Sequence, residues 1–357
     1  MMRFASFVSL VSIFLSAAAA ENPTAISVGN ATSRAGEVAY GVIAVPAGVD
    51  AATSIAVTVI NGQRSGPVVA FVAGSHGTEY ASIVALIRLH ERIQPKDLVG
   101  TVIIVPLVNV ASFEQMTVHT NPIDRKGMNS QYPGDAAGTQ TQRALRALAE
   151  QVVKRADVIV DLHGGDLDED LIPYSYWFRT GNEQQDSASK KLALAFGLDR
   201  IIVTDIDPSN ASSTRSLSGY ALSLGKTVLV AEAGRVGTVT VGDVTSLIDG
   251  SLNVLASLGM MNRPLQPLVH PIWLANGARV RAAAPGVFTP AVAGGTYVSA
   301  GMRIGTMSDY YGRQTSEITA PLAGVVTFIR GVPSAWAEAT LANIAPVFAE
   351  PPPYRKP

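Results

Sequence analysis

The sequence predicts an α/β fold, a sheet with helices on both faces, followed by a small all-β domain. Three observations carry that expectation. Apolar runs rich in Val and Ile, among them Val68–Val72, Val102–Val105, Val158–Val160, Ile201–Val203 and Val228–Val230, alternate with longer stretches of helical character. These runs are apolar at every residue rather than at every second one, the mark of strands covered on both faces. After Met261 the texture shifts to short segments dense in Gly, Ala, Val and Pro, which suits a small β domain.

The chain has 357 residues, 47% of them hydrophobic, and 27 Lys+Arg against 28 Asp+Glu. That balance excludes a disordered chain and gives no basic footprint for nucleic acid. With no cysteine, disulfides, Fe–S clusters, thiolate zinc sites and a Cys nucleophile are excluded, so any metal is held by His and carboxylates.

Taken in order, Met1–Ala20 has the layout of a secretory signal peptide: Arg3, an apolar run from Phe4 to Leu15, then Ala18-Ala19-Ala20. The expectation is an exported protein, periplasmic in a Gram-negative source and otherwise secreted. No stretch reaches the roughly eighteen uncharged apolar residues of a membrane helix. Residues 21–265 form the expected α/β domain, with helices over Ala81–Ile93, Thr139–Arg155, Ser187–Phe196 and Val241–Leu258, closed by a linker at Arg263–Pro267.

Residues 266–347 form the expected β domain. It contains a weak internal echo, Ala284–Thr289 against Ala320–Thr327, and Gly295–Gly305 resembles the barrel-sandwich fold of lipoyl and biotinyl carrier domains. Residues 271–347 hold no lysine, so this domain is no swinging arm. It is expected to pack on the α/β domain or to shape the mouth of its active site. Residues 348–357 are a Pro-rich tail.

Three polar motifs follow apolar strands, where α/β sheets place ligand-binding groups. They are Gly74-Ser75-His76-Gly77-Thr78-Glu79, Asp161-Leu162-His163-Gly164-Gly165 and Ala231-Glu232-Ala233-Gly234. His76, Glu79 and His163 supply two imidazoles and a carboxylate, the donor set of a catalytic zinc with one open position, one Zn²⁺ per chain. Glu232 is the candidate carboxylate that takes a proton from water and returns it to a leaving nitrogen. Asp161 reads as a residue supporting His163 or the strand end. The cluster Asp166, Asp168, Glu169 and Asp170 reads first as a solvated loop, with a cationic ligand as the alternative.

Together, His76-x-x-Glu79, Asp161-Leu162-His163-Gly164 and Glu232-Ala233-Gly234 resemble the succinylglutamate desuccinylase/aspartoacylase family, relatives of the zinc carboxypeptidases. The Asn109–Phe113 segment, Pro122-Ile123-Asp124 and Met128–Gly134 also look like family stretches. The resemblance implies a mixed sheet, a C-terminal barrel-sandwich and zinc-dependent hydrolysis of an amide in a small N-acylated substrate. It further implies His76, Glu79 and His163 as ligands and Glu232 as general base.

The pattern breaks at Ser130, which stands where the family has an arginine for a substrate carboxylate, and at Gly127, which replaces an aspartate. His119 aligns with the family's carbonyl-polarising arginine, and Arg125 lies close enough to substitute. Asn129, Arg179 and Arg235 complete the candidate substrate contacts. The alternatives are a carboxypeptidase or amidase acting on peptides or peptidoglycan fragments, and a non-catalytic exported zinc- or ligand-binding protein. No membrane span is expected, and oligomerisation is left open.

Overall fold

The computed structural model describes residues 25–357; the expected signal peptide lies outside the described residues. Ten strands form one sheet. From one edge the order is Val347–Phe348, Ile272–Ala275, Arg200–Asp205, Tyr174–Arg179, Thr227–Glu232, Val158–His163, Arg64–Ala73, Val99–Val105, Thr53–Asn61 and Glu37–Val45. The sheet is mixed: the central Arg64–Ala73, Val158–His163 and Thr227–Glu232 strands run parallel, while Tyr174–Arg179 pairs antiparallel with Thr227–Glu232.

Helices cover both faces, as continuous apolar strands require. On one face Tyr80–Leu89, Glu183–Phe196 and Val241–Ser257 bury Leu86, Leu89, Leu192, Phe196, Leu247 and Leu255 in one core. On the other, Gln140–Leu148, continuing as a π-helical turn over Ala149–Val153, and Leu217–Ser223 bury Leu145, Leu148, Leu217 and Ala221 in a second. Each such side chain removed from water contributes on the order of 2 kcal/mol. The four expected helices are present; Glu183–Phe196 starts four residues earlier than Ser187, where Asn182 accepts from the Gln184 and Gln185 amides as N-cap.

The C-terminal region forms two antiparallel sheets around Phe288, Ile304, Leu341 and Ile344. Ile272–Ala275, which the change of texture assigns to this region, instead pairs in parallel with Arg200–Asp205. Val347–Phe348 then pairs with Ile272–Ala275 at the sheet's edge. The β region also reaches the other way: Gly324–Arg330 pairs with a short strand, Glu169–Leu171, that follows the His163 motif. This pairing sets Phe328 opposite Leu171 and Arg330 opposite Glu169, bringing the β region against the polar ends of the central strands.

Candidate metal centre and active-site cleft

The three motifs meet at the C-terminal ends of three neighbouring strands. After Ala73 the chain turns at Gly74, whose φ of +68° favours glycine and whose place beside Leu107 leaves no room for a Cβ. His76 and Glu79 follow in the loop, just before the helix at Tyr80. His163 and Glu232 are cross-strand partners. Their following residues run side by side, Gly165 N–H donating to Gly234 O at 2.9 Å, and a Cβ on Gly164 would collide with the Ala233 carbonyl. The glycines of both motifs thus let the two strand ends approach closely enough to share one site.

Two imidazoles converge on one carboxylate. His76 Nδ1 lies 2.6 Å from Glu79 Oε1, and His163 Nδ1 lies 2.8 Å from Glu79 Oε2. Burial would raise the Glu79 pKa, but the charges of His163 and His76 win and hold it below the usual range. His163 is pushed up: its burial is overcome by Asp161 and then Glu79.

Asp161 Oδ1 stands 3.2 Å from His163 Nε2 and makes no hydrogen bond, so a buried carboxylate oxygen faces the far side of the ring. An anionic carboxylate, two Nδ1 atoms within reach of it and a carboxylate behind one ring are the donors and support that a His-Glu-His metal site needs. These residues fit a divalent ion.

Glu232 is pushed well above the ordinary range by burial first; His163 offsets part of this, while Glu79, Glu169 and Asp161 add to it. It lines a cleft of about 330 Å³ together with the metal-site residues, Asn129, Glu169, Tyr174, Tyr176 and Phe178. Leu171, Phe328 and Asn343 close it from the β region's side. Asn129 Nδ2 lies 3.4 Å from His163 Nε2.

A model of the succinylglutamate desuccinylase/aspartoacylase catalytic domain matches residues 65–258. The chain belongs to the succinylglutamate desuccinylase/aspartoacylase family. An N-alpha-acetyl-L-2,4-diaminobutyric acid deacetylase of Halomonas elongata is 30% identical over 216 residues, which cover 60% of this chain and 61% of that relative's length. A succinylglutamate desuccinylase from Silicibacter sp. TM1040 shares the fold, with a TM-score of 0.78 over 87% of this chain and 95% of that one at 24% identity. A product-bound ectoine utilization protein of Ruegeria pomeroyi does so with a TM-score of 0.77 at 23% identity, over 87% and 95%.

Not every expected contact of this family member gathers at the cleft. Asn129 does; His119 stands behind the lining, its ring packed edge-on to His76 at 5.6 Å between centroids. Burial works against its charge, but the neighbouring carboxylates of Asp166, Asp168 and Glu169 push its pKa to about 11. Arg125 is exposed, adopts a φ of +58° and does not stand among the lining residues. Arg179 faces away from the cleft. Its guanidinium is bound to Asp205 at 2.6 and 3.0 Å and to the carbonyls of Pro352 and Pro353, so it serves the tail and not the substrate. Arg235 is half-exposed and paired with Asp170 at 2.8 Å.

The acidic loop is not solvated as first read. Asp166 is fully buried, accepting from Thr78 Oγ1, the Leu167 amide and the His119 amide. Asp168 is buried against Arg330 at 2.8 Å. Sequence reasoning missed the aromatic wall, because Tyr174-Ser175-Tyr176-Trp177-Phe178 lacks the aliphatic run that marks the other central strands. Its signal was alternation, which sets Tyr174, Tyr176 and Phe178 on one face. Arg215 also escaped notice: its Nε donates to the Ser130 carbonyl at 3.1 Å, bringing an exposed guanidinium beside the position where the resemblance implies an arginine.

Proposed function

We propose that this family member is a zinc-dependent amide hydrolase that deacylates an N-acyl amino acid or a related N-acylated amine. The observation that carries the reading is the convergence of His76 Nδ1 and His163 Nδ1 on the Glu79 carboxylate, with Glu232 on the strand beside His163. The activity in the name of the 30% identical relative, removal of an acetyl group from a diamino acid, supports the same bond class.

His76, Glu79 and His163 would hold the ion, which when bound supplies Lewis acidity to the scissile carbonyl and acidifies the attacking water. Glu232 takes the proton from that water and delivers it to the leaving nitrogen. A raised pKa suits the second of these steps, since the carboxyl holds the proton until the nitrogen takes it. His119, cationic through its carboxylate partners and packed on His76, adds positive potential where the carbonyl oxygen gains negative charge. Asn129 stands beside His163 to receive a polar group of the substrate.

A pure binding protein has no use for Glu232. Export belongs to the same reading and is supported by the leader-like composition of Met1–Ala20.

The test is the metal content of chain purified without chelator, together with amine release from a panel of N-acyl amino acids and amides. About one equivalent of zinc per chain, from the single site, and release from at least one N-acyl compound are expected. A zinc-loaded chain that cleaves none of them overturns the reading.

A further inference from the structure

Four carboxylates line the cleft, Glu79, Asp161, Glu169 and Glu232. Glu79 and Asp161 face the imidazoles of the metal site, and Glu232 is assigned to proton transfer. Glu169 has neither task.

Glu169 belongs to a charged group. Asp166 Oδ2 lies 3.1 Å from His119 Nδ1, and Asp168 lies 3.4 Å from His119 Nε2 and 2.8 Å from Arg330 Nη1. Glu169 Oε1 is 4.0 Å from His119 Nε2, and its Oε2 accepts one hydrogen bond, from the Asp166 amide at 3.2 Å. Asp168 is thus taken by Arg330, and Asp166 by Thr78 and His119, whereas Glu169 has His119 only at 4.0 Å. The neighbouring Asp170 is taken by Arg235. Glu169, whose pKa burial raises to about 7 against the charge of His119, is the member of the group without a close cationic partner, and it lines the cleft with 24% of its side chain exposed. His119, Asp168 and Glu169 also bring donor atoms within 4.8 Å of one another, but Arg330 and the cationic His119 already fill the place of a second ion.

The wall next to this charge is aromatic. Tyr174 and Tyr176 meet edge to face at 5.4 Å, and Tyr176 and Phe178 stack at 5.7 Å. Burial keeps both tyrosine hydroxyls protonated, with Glu232 and, least of the named neighbours, Glu169 adding to it. A largely desolvated carboxylate beside aromatic rings is a combination that attracts an organic cation.

We propose that Glu169 and this aromatic wall bind a positively charged group of the substrate, an ammonium carried on the amine half of the N-acylated molecule. The proposal rests on the amide-hydrolase reading for the identity of the substrate, and on charge and geometry for its ammonium. It makes Glu169 a specificity-determining residue whose strand, Glu169–Leu171, is held in place by the C-terminal β region.

The experiment compares three substrates matched in size, N-α-acetyl-2,4-diaminobutyrate, N-acetylnorvaline and N-acetylaspartate, on the zinc-loaded full chain and on Glu169→Gln. In parallel, calorimetry measures the affinity of the unmodified chain for 2,4-diaminobutyrate and for norvaline, which needs no turnover. The expected result is a preference of about tenfold or more in kcat/KM for the ammonium substrate over norvaline's derivative. Glu169→Gln should reduce that ratio to about one to threefold, whatever its effect on the absolute rates.

Equal or better use of the neutral or anionic substrate, or a ratio unaltered in Glu169→Gln, overturns the proposal and leaves the hydrolase reading standing. Failure to cleave any amide overturns the hydrolase reading instead. In that event calorimetry still decides: tighter binding of diaminobutyrate supports the ammonium site, and equal binding overturns it.

Discussion

His119 meets Asp166 through two of its own atoms: its backbone amide donates to Asp166 Oδ2 at 3.0 Å, and its Nδ1 lies 3.1 Å from the same oxygen. One buried carboxylate thereby fixes both the backbone of His119, which has a φ of +61°, and the direction of its ring. The conformation costs energy for a residue with a Cβ and persists because Asp166 holds it from both sides. Asp166 also accepts from Thr78 Oγ1, so the His76–Glu79 loop and the His119 loop are tied to one anchor.

This pairing gives a pH prediction. With its pKa raised from 6.5 to about 11, the His119 imidazole should stay protonated from pH 6 to 9, read by NMR with His119→Gln as the assignment control. Because the folded value lies above the unfolded one, the stabilisation is complete below about pH 6.5 and is lost progressively as pH rises toward 11. A His119 titration near 6.5 would refute the assigned partners.

Removing a ligand should remove the metal. His163→Ala, and separately His76→Ala, should bind less than about a tenth of an equivalent of zinc while remaining folded by circular dichroism. Retention of a full equivalent in either variant would place the ion elsewhere.

Glu232→Gln keeps the shape of the side chain and removes its basicity. Zinc content should be unchanged while kcat falls by roughly 10²- to 10⁴-fold. Full turnover in this variant would show that another group moves the proton.

Arg179→Ala should leave kcat/KM within about twofold, the range of a residue without a role at the reacting bond. The loss should instead appear at the tail, as faster proteolysis beyond Pro346, since Arg179 binds the Pro352 and Pro353 carbonyls. A large rise in KM would restore it as a substrate contact.

Arg143, buried in the helix Gln140–Leu148, donates to the carbonyls of Pro46, Gly138, Asp50 and Ala51 and to the Asp50 carboxylate at 2.7 Å. Arg143→Ala should cost on the order of 3 kcal/mol in denaturant unfolding. Burial opposes ionisation of Asp50, yet the Gln140 amide and then Arg143 hold its pKa below 3.8. That contribution is present above about pH 4 and is lost as pH falls through the lowered folded value, so the variant's deficit should shrink in acid.

Much of the central sheet and the metal donors could be read from the sequence, because both leave local traces. Val158-Ile159-Val160 announces a strand covered on both faces, and a His two residues after an Asp at its end announces a site. The walls of the cleft leave no such trace. Tyr176, Phe328 and Asn343 come from three distant segments and meet only through strand pairing across the two regions. The acidic loop looked like a surface feature because its counter-charge, Arg330, lies more than 150 residues away. Likewise, nothing local to Ile272–Ala275 reveals that it returns to the large sheet, since pairing with Arg200–Asp205 is a tertiary event.

The path of the C-terminal region bears on how the cleft can open. The chain leaves the large sheet at Ala275, makes its β excursion and re-enters the same sheet at Val347. The excursion is therefore moored at both ends, like a handle on a cup, and not hung from one flexible joint. Phe328 and Asn343 ride on that handle, which is pinned once more where Gly324–Arg330 pairs with Glu169–Leu171. Any truncation that cuts the handle also strips the edge of the catalytic sheet.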